Sequence, residues 1–324
     1  MCESVNEEIW EAQSKGHTNL YLNYRKLSEL PEELLNLSRI KKLYLKQNVL
    51  TKLPADIWKL ENLVELYIHS NYLHRLPDEL GNLTNLRDLN VMNNKLEWLP
   101  WQLCNCSSLK ILSFDGNAVQ KIPHQLMTHQ GLAELYASGN NLCTLPQDLN
   151  KLSSLESLIL DHNTKLQLLP ATLLKMKDLK MIGLSGCATK ELARLPGRDS
   201  KELVEVLNLR NILQGSSGRI LPLLELCFRK VHCFVRSVSV EKLSSLELPS
   251  HVTTLLAAPT GHCFVCDSSY FTAVFLQEES ANTALRITSA EIFQGLRDTT
   301  CSFAFCCCSR SCLDEVSRLH DIPD

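Results

Sequence analysis

The sequence predicts an α/β solenoid. It is a curved horseshoe of about eight stacked coils with a parallel β-sheet on its concave face, followed by a small helical segment and a small α+β module. Three observations predict it. Asparagines recur every 23 residues, at Asn48, Asn71, Asn94, Asn117, Asn140 and Asn163. Each stands five residues after a leucine: Leu43, Leu66, Leu89, Leu112, Leu135 and Leu158. A Leu-Pro or Ile-Pro pair follows each, ending in Pro54, Pro77, Pro100, Pro123, Pro146 and Pro170.

In chain order, residues 1–16 form an N-terminal cap, with an amphipathic helix over 5–14. The repeats occupy 17–196. Their Leu-x-Leu alternation makes a short strand with leucines on one face. The asparagine then falls at a turn, where one amide can donate and accept for backbone groups that lack ladder partners. The proline fixes the start of a helical turn that carries the next leucine inward. A first copy, Leu20 to Pro31, has Arg25 at the asparagine position, and a last copy, Leu179 to Pro196, has Cys187, a weaker donor. One repeat cannot bury its own leucines, so neighbours must stack. The unit resembles the 23-residue class of leucine-rich repeats.

Hydrophobic residues make up 44% of the 324 positions and aromatics only 6%, so the core is aliphatic. A net charge of −3 gives no bulk attraction to nucleic acid or to a membrane surface. The acidic start Met1-Cys-Glu-Ser-Val lacks the apolar core of a signal peptide, and no run approaches the ~20 apolar residues of a membrane span. A cytoplasmic location follows, with the nucleus also open to the protein. The 14 cysteines are then expected to be reduced or metal-bound.

The strand residue between the two leucines points outward on the concave face. Down the stack it places Tyr21, Tyr44, Tyr67, Asn90 and Tyr136 in one column, with His69 beside them in a second column that also carries Lys46, Asp115 and Asp161. Tyrosine combines an apolar ring with a polar tip, as interface anchors do. Those six residues are the expected contact set for a protein partner. No nucleophile–base pair, phosphate loop or suitably spaced carboxylate pair marks an enzyme, and His69 reads as a polar contact.

Residues 197–258 lose the period. Pro222, Leu223, Cys227 and Val231 resemble an elongin-binding box over 222–231. Leu248, Pro249, Val252 and Leu255 resemble a cullin box over 248–256. Their order and separation are similar to a suppressor-of-cytokine-signalling box. The resemblance implies binding to elongin B/C and to cullin 2 or cullin 5. Glu247 and Leu255 depart from the cullin 5 pattern, where a proline and an aromatic are preferred.

Residues 259–324 carry Gly261-His-Cys-Phe-Val-Cys266, an apolar run from Tyr270 to Leu276 that reads as a strand, and Cys306-Cys-Cys-Ser-Arg-Ser-Cys312 opening a helix. Four thiolates suit tetrahedral Zn²⁺, and a helix N-terminus favours anionic sulfur. Cys263, Cys266, Cys308 and Cys312 are the expected ligands of a structural zinc; Cys306, Cys307 and His262 remain alternatives. The whole pattern resembles the family of leucine-rich repeat-containing protein 28. That likeness implies a non-catalytic substrate receptor of an elongin–cullin ubiquitin ligase. A repeat scaffold that binds signalling proteins is the other reading.

Overall fold

The computed structural model describes residues 2–166, 168–176, 178–187, 213–214, 261–267, 269–270, 273–280, 302–307 and 310–320. The chain forms two compact units. One comprises Met1–Leu142, Lys151–Lys165 and Met176–Cys187; the other comprises Cys143–Asn150, Leu166–Lys175 and Ala188–Asp324.

The first unit begins with helix α1, Cys2–Lys15. Its Val5, Ile9 and Ala12, spaced four and three apart, are buried, as one face of a helix requires. Eight three-residue strands follow in one open parallel sheet. They are β1 Asn19–Tyr21, β2 Lys42–Tyr44, β3 Glu65–Tyr67, β4 Asp88–Asn90, β5 Ile111–Ser113, β6 Glu134–Tyr136, β7 Ser157–Ile159 and, after a strand of the second unit, β9 Met181–Gly183. The register is in step throughout, with Leu43 opposite Leu66, Leu66 opposite Leu89 and Leu112 opposite Leu135. Strands this short are stable only because each leucine lands on the one before it. Each such buried side chain is worth roughly 1.5–3 kcal/mol.

Behind the sheet, Pro31, Pro54, Pro77, Pro100 and Pro123 each precede a 3₁₀ turn, at Glu32–Asn36, Ala55–Lys59, Asp78–Asn82, Trp101–Asn105 and His124–Thr128. The prolines sit in extended backbone at the ring's natural φ and donate nothing where no partner exists. The turns bury Leu34, Ile57, Leu80, Leu103 and Leu126.

The asparagines form a ladder through the interior. Asn48 Oδ1 accepts from the Arg25 and Leu27 backbone N–H groups at 2.9 and 3.1 Å, and its Nδ2 donates to Leu22 and Leu45 carbonyls at 2.8 and 3.0 Å. Asn71 and Asn94 repeat the arrangement one coil later each, and Asn163 still does so at the far end. At the last copy the Cys187 thiol donates to the Leu160 carbonyl at 3.2 Å, the weaker substitute expected of it. At the first copy no coil precedes, and Arg25 turns instead to the Glu8 carboxylate of α1.

A second periodic device was hidden from the sequence. The residue before each asparagine is left-handed: Gln47 (φ 51), Ser70 (58), Asn93 (51), Gly116 (64), Gly139 (61) and His162 (59). Only two of the six are glycine, so no residue-type column advertised the turn.

The second unit contains β8 Leu168–Pro170, β10 Leu213–Gln214, β11 Gly261–His262, β12 Ser269–Tyr270, β13 Ala273–Ser280, β14 Ser302–Cys307 and helix α2 Arg310–His320. Four strands form a mixed sheet in the order β10-β13-β14-β8, in which β14 runs antiparallel to β13 and parallel to β8. The strand expected over 270–276 thus begins at Ala273 and runs on to Ser280. Helix α2 buries Leu313 and Val316, spaced three apart.

Candidate functional site

The concave face of the eight-stranded sheet is built from alternate strand positions. Because β1, β2 and β3 are parallel and in register, Tyr21 lies beside Tyr44 and Tyr44 beside Tyr67. Their rings stack with centroids 4.8 and 5.0 Å apart and planes within 9° and 2° of parallel. Tyr21 at the free end is 56% exposed. Tyr136 stands apart from this stack, separated by Asn90 and Ser113 in the same column.

Each inner hydroxyl is held by an acid. Tyr44 Oη donates to Glu65 Oε2 at 2.9 Å, Tyr67 Oη to the Asp88 carboxylate, and Tyr136 Oη to Glu134 Oε2 at 2.7 Å. Lys42 Nζ reaches the other Glu65 oxygen at 2.7 Å. Burial and the Glu65 carboxylate push the Tyr44 phenol up to about 12, and burial with Asp88 raises Tyr67 further. The Tyr136 phenol is raised by its bond to Glu134 and by burial. These tyrosines stay neutral donors at any physiological pH.

The acids are perturbed in turn. Burial raises Asp88, the Glu65 and Glu134 charges push the same way, and the Tyr67 hydrogen bond opposes them. Burial and the charge of Asp161 raise Asp115, against the backbone N–H of Ser138, which donates to it at 2.6 Å. The face therefore carries acids beside an aromatic ladder, with Glu65 already paired to Lys42.

Of the expected contact residues, the structure brings Tyr21, Tyr44 and Tyr67 into one stack. His69 lies at the edge, with Nδ1 3.3 Å from Ser70 Oγ, and burial with the Lys46 charge lowers its pKa. Asn90 accepts at its Oδ1 from the Met92 backbone N–H at 3.2 Å, a part-buried local bond. Glu65, Asp88 and Glu134 were missed in the sequence. They stand two residues before the tyrosine column on the same face, so the period that located the tyrosines also locates them.

In the second unit Cys263, Cys266 and Cys312 come together, their sulfurs all within 4.8 Å of one another. Cys308, the fourth residue expected there, lies outside the described residues. So do the elongin-box residues Pro222, Leu223, Cys227 and Val231 and the cullin-box residues Leu248, Pro249, Val252 and Leu255. Cys307, an alternative in the sequence, is buried against Cys263, whose sulfur holds the Cys307 thiol well above the ordinary cysteine range. Among the described residues no helix is long and apolar enough to cross a membrane.

Residues 19–100 match the family model described as a leucine-rich repeat region. The repeat unit is a leucine-rich-repeat solenoid. A leucine-rich-repeat protein of Leptospira interrogans is 30% identical over 70% of this chain, with a TM-score of 0.54. The match spans 54% of the length of that protein. The leucine-rich-repeat domain of the type III effector XopL, 21% identical with a TM-score of 0.51 over 63% of this chain and 78% of its own, shares the fold. The solenoid is a fold typical of protein–protein interaction domains.

Proposed function

We propose that the concave face of the solenoid captures a protein partner that presents a basic segment, and that residues 197–258 deliver this partner to an elongin B/C–cullin ubiquitin ligase. The observation that carries the first half is the stack of Tyr21, Tyr44 and Tyr67 with acids fixed at its edge. A guanidinium can lie on a tyrosine face and meet a carboxylate in the same approach. The rings are already stacked and the Tyr44 and Tyr67 hydroxyls already bonded, so little side-chain freedom is lost on binding.

The second half rests on the resemblance of Pro222, Leu223, Cys227 and Val231 to an elongin-binding box, and of Leu248, Pro249, Val252 and Leu255 to a cullin box. In this reading the chain is non-catalytic, and its cullin is cullin 2 or cullin 5. A repeat scaffold without ligase coupling keeps the concave face and drops the second half.

The test has two independent arms. Tyr44→Ala with Tyr67→Ala should reduce capture of the partner, identified by cross-linking to wild type, by at least tenfold while the melting curve keeps its cooperativity. Undiminished capture would move the partner to another face. Separately, wild type should co-elute with recombinant elongin B/C, and Leu223→Ala with Cys227→Phe should not. Wild type that elutes alone would reject the ligase reading and leave the scaffold.

A further inference from the structure

The second unit brings together thiols that the concave surface does not use. The chain turns at 264–266, closed by the Asp267 N–H donating to the Cys263 carbonyl at 3.0 Å, with Asp267 itself left-handed at φ 57. That turn sets the sulfurs of Cys263 and Cys266 on one side. Cys312, in the first turn of α2, brings its sulfur to 3.9 Å from that of Cys266. Four sulfurs about 2.3 Å from a tetrahedral zinc lie about 3.8 Å from one another. The Cys266–Cys312 separation is thus that of a tetrahedron edge, and it is far longer than the ~2.05 Å of a disulfide.

The pleat of β14 separates Cys306 from Cys307. Successive side chains of a strand face opposite ways, so Phe305 and Cys307 share a face and Cys306 takes the other. Phe305 packs edge-on against Phe264 of the turn, centroids 4.6 Å apart and planes at 79°. Cys307 therefore faces the turn on the Cys263 side and is buried there, its sulfur standing outside the group of three that lie mutually within 4.8 Å. Cys306 faces Gln147, its Sγ 3.1 Å from Oε1. His262 is likewise engaged, with Nδ1 2.7 Å from Asp148 Oδ2.

We propose that Cys263, Cys266, Cys307 and Cys312 bind one structural Zn²⁺. Four thiolates around the metal leave a net charge of −2, and two features answer it. The N-terminal end of the α2 helix dipole lies beside Cys312. Lys175 Nζ donates to the Phe264 carbonyl within the turn and stands 4.3 Å from that ring's centroid. Four protein ligands close the coordination shell, so the site positions no water and does no hydrolysis. The metal ties the turn to β14 and α2, which lie far along the chain from it. This inference is independent of the concave surface and of the elongin reading.

The test uses the full chain, purified reduced and without oxygen. Elemental analysis should give one zinc per chain, and X-ray absorption at the zinc edge should give four sulfur neighbours. Cobalt exchange should yield the intense sulfur-to-cobalt bands of a tetrathiolate site. Cys307→Ser should weaken zinc retention against a chromophoric chelator at least tenfold and change the cobalt spectrum, whereas Cys306→Ser should do neither. Cys307→His, which restores a ligand, should recover retention with a mixed nitrogen–sulfur spectrum. Wild type free of metal, fewer than four sulfur neighbours, a Cys266–Cys312 disulfide in that preparation, or an unaltered tetrathiolate spectrum in Cys307→Ser would overturn the proposal.

Discussion

In the repeat unit, buried asparagine amides stand 23 residues apart, and each answers backbone groups of its own coil and the one before. In the second unit, the turn and β14 bury thiols instead, and no pair of them repeats a spacing. The repeat unit distributes its stability over many equivalent contacts. Under the zinc proposal, the second unit concentrates it on one cluster. Damage should therefore be graded in the first and all-or-none in the second.

The largest effect should follow from removing metal. Structural zinc in small modules is worth an apparent ~10–16 kcal/mol, so a site of this kind decides whether its module folds. A high-affinity chelator should make the stretch 261–320 protease-sensitive while the asparagine-laddered repeats keep their far-ultraviolet dichroism and melting midpoint. If both regions resist digestion in the chelator, the second unit does not depend on a single cluster and the contrast fails.

Next comes a rung of the amide ladder. Asn94 Oδ1 accepts from the Leu73 N–H at 3.0 Å, and its Nδ2 donates to the Ile68 carbonyl at 3.1 Å and the Val91 carbonyl at 3.0 Å. Asn94→Ala leaves these groups buried and unpaired, at about 1–3 kcal/mol for each one that water cannot reach. Urea unfolding should show a loss on the order of 3 kcal/mol. Asn90→Ala, four residues away, removes one part-buried bond and should cost under ~1 kcal/mol. Equal losses would mean that the interior ladder is not what separates the two positions.

Smaller effects should come from the left-handed column. Gly116 and Gly139 share a φ near +60°, where a side chain costs about 1–2 kcal/mol. A Cβ at Gly116 would stand 2.4 Å from Asn93 Oδ1, whereas one at Gly139 would meet nothing nearer than 3.6 Å. Gly139→Ala should therefore cost the backbone strain alone. Gly116→Ala should cost that plus the displacement of the Asn93 amide, and its melting midpoint should be the lower of the two.

The two regions also differed in how far the sequence exposed them. The asparagine ladder and the stacked tyrosines were legible because every residue concerned returns after 23 positions, and the parallel register converts that period into contact. The left-handed column has the same period, yet Gln47, Ser70 and His162 occupy it, so backbone shape recurs without residue type. In the second unit β8 pairs with β14, Leu168 opposite Ser302, across more than a hundred residues. Nothing local marks such a pairing. The run Cys306-Cys307-Cys308 showed that thiols were present, but only the strand register turns Cys307 toward Cys263.

The comparison sharpens within the repeat unit itself, between amides that hold the fold and acids that the concave face holds against their preference. Asp88 is raised mainly by burial, with Glu65 and Glu134 adding repulsion, and the Tyr67 hydroxyl offsets only part of this. A carboxyl whose folded pKa lies above its unfolded value, about 3.9 for aspartate, binds its proton more tightly in the folded state. Its favourable contribution is complete below the unfolded value and is lost as pH rises through the folded one. Ionised Asp88 therefore opposes folding at pH 7. An asparagine at this position would be neutral, of the same shape, and still able to accept from the Tyr67 hydroxyl. Asp88→Asn should raise the melting midpoint at pH 7 by about 1–3 °C, and the gain should vanish as pH falls below the ordinary aspartate range. Under the proposed function, the same change should weaken capture of a basic partner, because it removes a charge that meets the ligand. A midpoint that falls at pH 7 would mean that the charged bond to Tyr67 outweighs burial. Asp88 would then belong with the asparagines as part of the frame, and the tyrosine ladder alone would be left to meet the partner.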